Sequence, residues 1–151
     1  MSPTTLSTPT FASSVLSRNS ARVFEAAEEQ PVEVTRRDGE DFVLMSKRES
    51  DARKELLQFA AQLIAVATDD RGALADRMAN SFPWMLALNE VDRATCARDL
   101  LNAARASFAT HQAHLAVAEL HAWRETATAI AAGLGTDSVE WLDSDEVVER
   151  P

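Results

Sequence analysis

Four arginines near the start of the chain are the side chains best suited to bind a ligand. They are Arg18, Arg22, Arg36 and Arg37. An arginine guanidinium can donate two parallel hydrogen bonds to a phosphate or to the acceptor atoms of guanine. The first 24 residues contain no acidic side chain, so this end carries local positive charge. The alternative is that all four are solvated surface charges, with Asp38, Glu40 and Asp41 neutralising two of them.

The histidines and the single cysteine are weaker candidates for a functional site. His111 and His114 have the i, i+3 spacing at which two metal ligands share a helix face, but no third ligand stands at a matching spacing. Cys96 lies in a helical pattern with no oriented base or oxyanion feature to activate it. The sequence has no glycine-rich phosphate loop and no convincing carboxylate pair. We therefore expect no catalytic residues, no metal and no cofactor.

Composition favours a mainly helical protein. The 151 residues are 46% hydrophobic, which excludes wholesale disorder, and contain only four glycines and no tyrosine. A single cysteine is typical of a reducing cytoplasm, which is the predicted location. The N-terminus lacks the pattern of a secretory signal, and no stretch is long and apolar enough to span a bilayer. We expect no contact with a membrane.

The acidic charge is concentrated at the C-terminus. The formal net charge is −9, and residues 135–151 hold six Asp or Glu against one Arg. Residues 1–55 are nearly balanced, with eight Lys or Arg against ten Asp or Glu. The negative net charge argues against attachment of the whole chain to nucleic acid. It does not exclude a local nucleic-acid site at the N-terminus.

Residues 31–49 are the organising stretch, because a hairpin and a helix start are both encoded there. Val32 and Val34 alternate with polar residues, and residues 42–45 form a second apolar run. Between them the pair Asp38-Gly39 predicts a turn, since glycine adopts positive φ without steric cost. Ser46 and Glu49 then have the spacing of a capping box, so the sequence predicts an antiparallel hairpin that leads into a helix.

The other elements follow from caps and periodicity. We expect a strand over residues 8–12, a short helix from Ser13 or Ser14, and a second helix capped by Asn19 whose apolar face is anchored by Phe24. The helix after the hairpin should run from 47 to 68. Its predicted apolar stripe comprises Leu56, Ala60, Leu63, Ile64 and Ala67.

Residues 73–134 read as a helical region. Pro83 suits a first helical position, and the segment from Asn89 to Asp92 predicts a cap for the next helix. We expect Thr110 to cap the last helix, which Gly133 ends. The predicted apolar faces comprise Ala97, Leu100, Leu101, Ala104 and Phe108 in one helix and Leu115, Ala118, Ala122, Trp123, Ala127 and Ile130 in the other.

Residues 17–21, 24–29, 31–39 and 43–46 together resemble the Phd/YefM (prevent-host-death) family of bacterial antitoxins. The resemblance implies an α+β fold in which residues 1–55 form a small domain that dimerises and binds palindromic operator DNA. It assigns DNA contact to the four arginines, with Arg36 and Arg18 the strongest candidates. The implied function is that of a type II antitoxin that represses its own operon and neutralises a toxin by binding it.

The C-terminal part departs from that family, whose typical members carry a short, flexible toxin-wrapping tail. Here residues 56–134 are patterned as stable helices, and residues 73–134 are similar to a segment attached to such domains in actinobacterial proteins. Residues 135–151 read as a flexible acidic tail with apolar residues. The predicted toxin-binding side chains are Trp141, Leu142, Val147 and Val148. Three alternatives remain. The helices could bind the toxin, or the tail could serve only to keep the protein soluble. The protein could also be a stand-alone DNA-binding regulator or scaffold without a toxin.

Overall fold

A computed structural model describes residues 7–135 and shows a mainly helical α+β protein, the class that the sequence predicts. A three-stranded sheet with two short helices comes first, and a helical region follows. In chain order the elements are β1 (Thr10–Ala12), α1 (Ser13–Arg18), α2 (Ser20–Glu29), β2 (Val32–Thr35), β3 (Phe42–Leu44), α3 (Lys47–Thr68), α4 (Leu74–Ser81), a 3-10 helix (Pro83–Ala87), α5 (Glu90–Thr110) and α6 (His114–Ala131).

The sheet has the order β1-β2-β3, with β2 in the centre. β1 runs parallel to β2, and β3 runs antiparallel to it. Val34 pairs with Phe11 on one side and with Phe42 on the other, so these three residues form one row across the sheet. Gly39 adopts φ +121° in the turn between β2 and β3. The predicted hairpin is therefore confirmed.

The core of the N-terminal unit lies between the sheet and α2. Val23 and Ala27 of α2 are buried together with Val32 and Val34 of β2. The prediction that Phe24 anchors α2 is wrong, because its side chain is 51% exposed. Positions 23 and 27 share one helix face, whereas position 24 is rotated by about 100° from position 23 and by about 60° from position 27.

The predicted side-chain caps form at two of the helices. Ser46 Oγ accepts a hydrogen bond of 3.1 Å from the Glu49 amide at the start of α3. At the start of α5, Asn89 Oδ1 accepts one of 2.8 Å from the Asp92 amide. α1 instead begins after Ala12, and Asn19 precedes α2 without a side-chain hydrogen bond.

The second core joins α3 to the helices that follow. Phe59 packs edge-on against Phe82 with ring centres 5.6 Å apart. The fully or nearly fully buried residues of this core are Phe59, Val66, Met78, Ala79, Phe82, Met85, Leu88, Cys96, Ala97, Leu100, Ala104, Ala116 and Ala127. The predicted stripe of α3 is wrong at Ile64 and Ala67, which are exposed. Phe59 and Val66 face the core instead.

The connection between α5 and α6 differs from the prediction. Thr110 does not cap α6, because α5 includes Thr110 and its hydroxyl donates to the Ala106 carbonyl. His111 ends α5 in the left-handed conformation, at φ 55°. Ser107 supplies the missing cap from α5, since its buried Oγ accepts a 2.9 Å hydrogen bond from the Ala116 amide in the first turn of α6.

The predicted faces of α5 and α6 are correct only in part. Ala97, Leu100 and Ala104 are buried in α5 as predicted, whereas Phe108 is exposed. In α6 the buried residues are Ala116 and Ala127. The predicted positions that are exposed there are Leu115, Ala118, Ala122 and Ile130. Within residues 7–135, no helix is long and apolar enough to cross a membrane.

Candidate nucleic-acid interface

All four arginines are exposed on the N-terminal unit. Arg18 ends α1, Arg22 lies in the first turn of α2, and Arg36 and Arg37 follow β2. Because β1 and β2 are parallel, their C-terminal ends meet at one edge of the sheet. Arg36 lies at this edge, beside the start of α1.

Two of the arginines are stacked on phenylalanine rings. The Arg22 guanidinium lies 5.8 Å from the ring centre of Phe11, and that of Arg36 lies 5.5 Å from the ring centre of Phe42. Both rings belong to the row through Val34, so their Cα atoms are about 10 Å apart across the three strands. A guanidinium that lies over a ring still has N–H groups that can donate to an anion.

No carboxylate forms an ion pair with these arginines in the described part of the chain. Five ion pairs form between residues 7 and 135, and none of them contains any of the four. Asp41, which the sequence offered as a neutralising partner, accepts a 2.8 Å hydrogen bond from the backbone amide of Arg36. That bond shapes the turn, and Asp41 forms no ion pair with the Arg36 guanidinium.

The turn also fixes where the Arg36 side chain lies. A Cβ added to Gly39 would stand 3.3 Å from Nη1 of Arg36, so the guanidinium passes directly over this glycine. A side chain there would need the positive φ and would crowd Arg36. The Asp38-Gly39 pair therefore makes the hairpin and also leaves room for the arginine against Phe42.

The structure thus brings Arg22 and Arg36 to one row of the sheet, while Arg18 and Arg37 carry no ring contact in the described chain. Sequence reasoning missed the two phenylalanine platforms. Phe42 was deducible, because the hairpin turn places it opposite Val34. Phe11 was not, because its pairing with Val34 is parallel and spans 23 residues of sequence.

An apolar groove lies elsewhere on the same unit. It is lined by Phe24 of α2 together with Leu44 and Met45 at the end of β3. Phe24 is half exposed, although a phenylalanine on a small domain usually contributes to its core. This groove is suited to an apolar partner surface.

The histidines and Cys96 do not form a second site. His111 ends α5 and His114 begins α6, so the predicted shared helix face does not exist. Residues 7–135 contain no group of three or more His, Cys, Asp or Glu side chains that could hold a metal ion. Burial, aided by the charges of Asp99 and Glu119, raises the pKa of the Cys96 thiol to about 12. Cys96 therefore stays protonated at neutral pH.

The predicted toxin-binding side chains Trp141, Leu142, Val147 and Val148 lie outside the described residues. Comparison of the chain with protein-family models, with curated proteins and with solved structures found no match in any of the three. The case for a function therefore depends on the residues themselves.

Proposed function

We propose that the N-terminal unit binds DNA through its arginine surface, defined by Arg18, Arg22, Arg36 and Arg37. The observation that carries the proposal is that these four guanidinium groups have no carboxylate partner among residues 7–135, while two of them are held against rings. A protein of net charge −9 that keeps four exposed arginines on one small unit, none of them in an ion pair among residues 7–135, has guanidinium groups available to an anion.

The shape of the arginine surface favours a polyanion over a small anion. The four residues are exposed and distributed over α1, α2 and the hairpin. A small anion is usually held in an enclosed, convergent pocket, whereas the phosphates of a DNA strand are spaced along an extended path. Arginine also recognises guanine in the major groove through two hydrogen bonds.

A two-fold dimer would complete such a DNA-binding unit. The unit buries a small core, and Phe24 leaves an apolar surface beside Leu44 and Met45. A second copy placed over this groove would cover Phe24 and present two arginine surfaces related by symmetry. Such an arrangement matches the two halves of a palindromic operator.

The resemblance to the Phd/YefM family extends the proposal to an antitoxin that represses its own operon and binds a toxin. Six carboxylates among residues 135–151 would steer this segment to a basic toxin surface, and Trp141 and Leu142 would hold it there. An RNA-cleaving toxin needs such a basic surface for its substrate, so an acidic segment bound there would block it directly.

The competing function is that of a regulator without a toxin. One observation favours it, namely that the helical region has a buried core of its own. A toxin-wrapping segment of the usual kind acquires its structure on binding. Growth rescue separates the two functions: if a small reading frame lies next to the gene, only an antitoxin protects cells that express that reading frame.

DNA binding is tested with Arg36→Ala on the DNA upstream of the gene, at several salt concentrations. Arg105→Ala is the matched control, because Arg105 is exposed on α5 and has no ion pair among the described residues. We expect Arg36→Ala to weaken binding and Arg105→Ala to leave it unchanged. Loss of one phosphate contact lowers the slope of log affinity against log salt by about one, whereas loss of a base contact costs about 1–3 kcal/mol. Equal binding by both variants would refute the proposed role of Arg36.

A further inference from the structure

Two cavities adjoin along the seam between α3 and α6. The first has a volume of about 290 Å³, and its lining includes Glu55, Trp84 and Arg124. The second has a volume of about 590 Å³ and lies nearer the start of both helices, where its lining includes Arg48 and His121. A 2.6 Å hydrogen bond joins Glu55 of the first cavity to His121 of the second. The two cavities therefore follow one seam, which we call the α3–α6 groove.

The charged side chains of this groove favour an acidic ligand. Its two carboxylates are already engaged, because Arg53 donates to Glu49 at 2.7 Å and His121 contacts Glu55 at 2.6 Å. Its two arginines form no ion pair among residues 7–135. Two guanidinium groups are therefore available to carboxylates, each of which can accept two parallel hydrogen bonds.

The groove also has apolar surface in both cavities. In the first cavity the partly buried Trp84 stands beside the buried Phe82, with ring centres 6.1 Å apart. In the second cavity Ala52, Val117 and Ala118 contribute apolar side chains from the two helices. A ligand that fills the groove should therefore combine carboxylates with apolar side chains.

Residues 139–148 have this combination. They contain four carboxylates and no basic side chain, together with Trp141, Leu142 and three valines. We propose that this segment packs into the α3–α6 groove of its own chain, with Trp141 in the first cavity and Val147 in the second. Its carboxylates then pair with the two arginines of the groove.

The end of α6 lies close enough to the groove for this segment to reach it. The Leu134 amide donates to the Ala129 carbonyl at 3.0 Å, so the chain still lies beside the last turn of α6 at that point. Arg124 lies five residues before Ala129, which is about 7.5 Å along the helix axis. Trp141 follows Leu134 by seven residues, which span up to about 23 Å. Trp141 can therefore reach the first cavity, and the six residues after it, which span up to about 20 Å, can extend through the second.

The covalent connection favours the chain's own segment over that of another copy. A segment tethered by a short connection has an effective concentration on the order of millimolar, far above that of a second copy in dilute solution. The docked segment covers Trp141 and Leu142, so a toxin that binds these residues must first displace it. Only this last consequence rests on the proposed function.

The full chain with Ala118→Cys and Val147→Cys tests the docked position. Ala118 is exposed in the second cavity, so the substitution leaves the helical core intact. We expect this pair to form a disulfide within one chain under mild oxidation, detected as a linked peptide in a protein that keeps the mass of one chain. The native Cys96 is buried and contributes no background.

Val91→Cys with Val147→Cys is the matched control. Val91 is 74% exposed, and its neighbour Asp92 lines a cavity with Thr126 near the end of α6. Ala118 is about 12 Å farther from that end along the helix axis. A segment that stayed in solvent would therefore reach Val91 at least as readily as Ala118. Docking predicts that the Ala118 pair links faster by about tenfold or more, because the docked position raises the effective concentration of the two thiols.

Arg124→Gln in the Ala118 pair tests the charge contact. It should slow disulfide formation by about two- to fivefold, the effect expected for one exposed ion pair. Arg105→Gln is the control and should leave the rate unchanged. Equal rates in these two variants would remove the charge complementarity that selects the segment.

These experiments contain neither DNA nor a toxin, so their outcome is independent of the proposed function. A disulfide that joins two chains would assign the groove to the segment of a second copy and overturn the docking within one chain. Linkage to Val91 that is as fast as linkage to Ala118, or no linkage to Ala118, would overturn the proposal as a whole.

Discussion

Phe42→Leu isolates the contribution of the ring that holds Arg36. The guanidinium lies 5.5 Å from the ring centre, and the Phe42 side chain is 56% exposed. A cation–π contact at an exposed site is worth about 0.5–1 kcal/mol. Without the ring, Arg36 must be ordered when DNA binds, so affinity should fall by about two- to fivefold.

The salt dependence separates positioning from charge. Arg36 keeps its charge in Phe42→Leu, so the slope of log affinity against log salt should stay at the wild-type value. Leucine also keeps an apolar side chain opposite Val34, and the N-terminal unit should remain folded. The assay is fluorescence anisotropy on a labelled duplex from the upstream region, at four potassium chloride concentrations.

Val43→Ala is the control for this experiment. Val43 is the next residue of β3, is exposed, and pairs with Glu33 in a different cross-strand row from the Arg36 contact. We expect it to bind DNA as the wild type does. Unchanged affinity in Phe42→Leu would refute the positioning role of the ring. An equal loss in Val43→Ala would show that the effect comes from the stability of the sheet.

Three further predictions concern the helical region and the tail. Ser107→Ala removes the acceptor for the buried Ala116 amide and should lower the free energy of unfolding by about 1–2 kcal/mol in urea titrations; an unchanged midpoint would contradict the capping role. Cys96 should react with a thiol reagent at pH 8 only after unfolding, because its thiol is fully buried and burial raises its pKa; fast labelling of the native protein would contradict this. Deleting residues 137–151 should preserve DNA binding and abolish toxin rescue, and Trp141→Ala should reproduce much of that loss; full rescue by the deletion variant would assign toxin capture to the helices.

Turns and helix starts could be predicted from the sequence where they depend on neighbouring residues. The turn at Gly39 and the caps at Ser46 and Asn89 each depend on residues within four positions, and all three are confirmed. The cap of α6 could not be found in this way. The hydroxyl of Ser107 provides this cap, and the amide that donates to it belongs to Ala116, nine residues later.

Helix faces were less predictable, because α3 and α2 each contain more apolar residues than the face that is buried. In α3 the stripes through Phe59 and through Ile64 are both apolar, and periodicity alone cannot tell which one faces the core. In α2 helical spacing predicts a face through Phe24, whereas Val23 and Ala27 are the residues that are buried. Tertiary packing decides both cases: α3 packs against α4 and α6, and α2 packs against β2.

The candidate site was predictable in its arginines but not in their surroundings. Arg18 and Arg22 stand out in the first 24 residues, which contain no acidic side chain, and the resemblance to the antitoxin family adds Arg36 and Arg37. The rings of Phe11 and Phe42 become neighbours of Arg22 and Arg36 only after three strands pair. The absence of an ion pair to any of these four arginines within residues 7–135 is likewise a property of the folded chain.

The salt dependence of DNA binding by a quadruple variant tests the central claim most directly. In this variant Arg18, Arg22, Arg36 and Arg37 are all replaced by glutamine, and circular dichroism checks that the helices are retained. If all four contact phosphates, the slope of log affinity against log salt should fall by about four per protomer, with affinity near the limit of detection. A folded quadruple variant that binds upstream DNA with the wild-type affinity and slope would contradict the account.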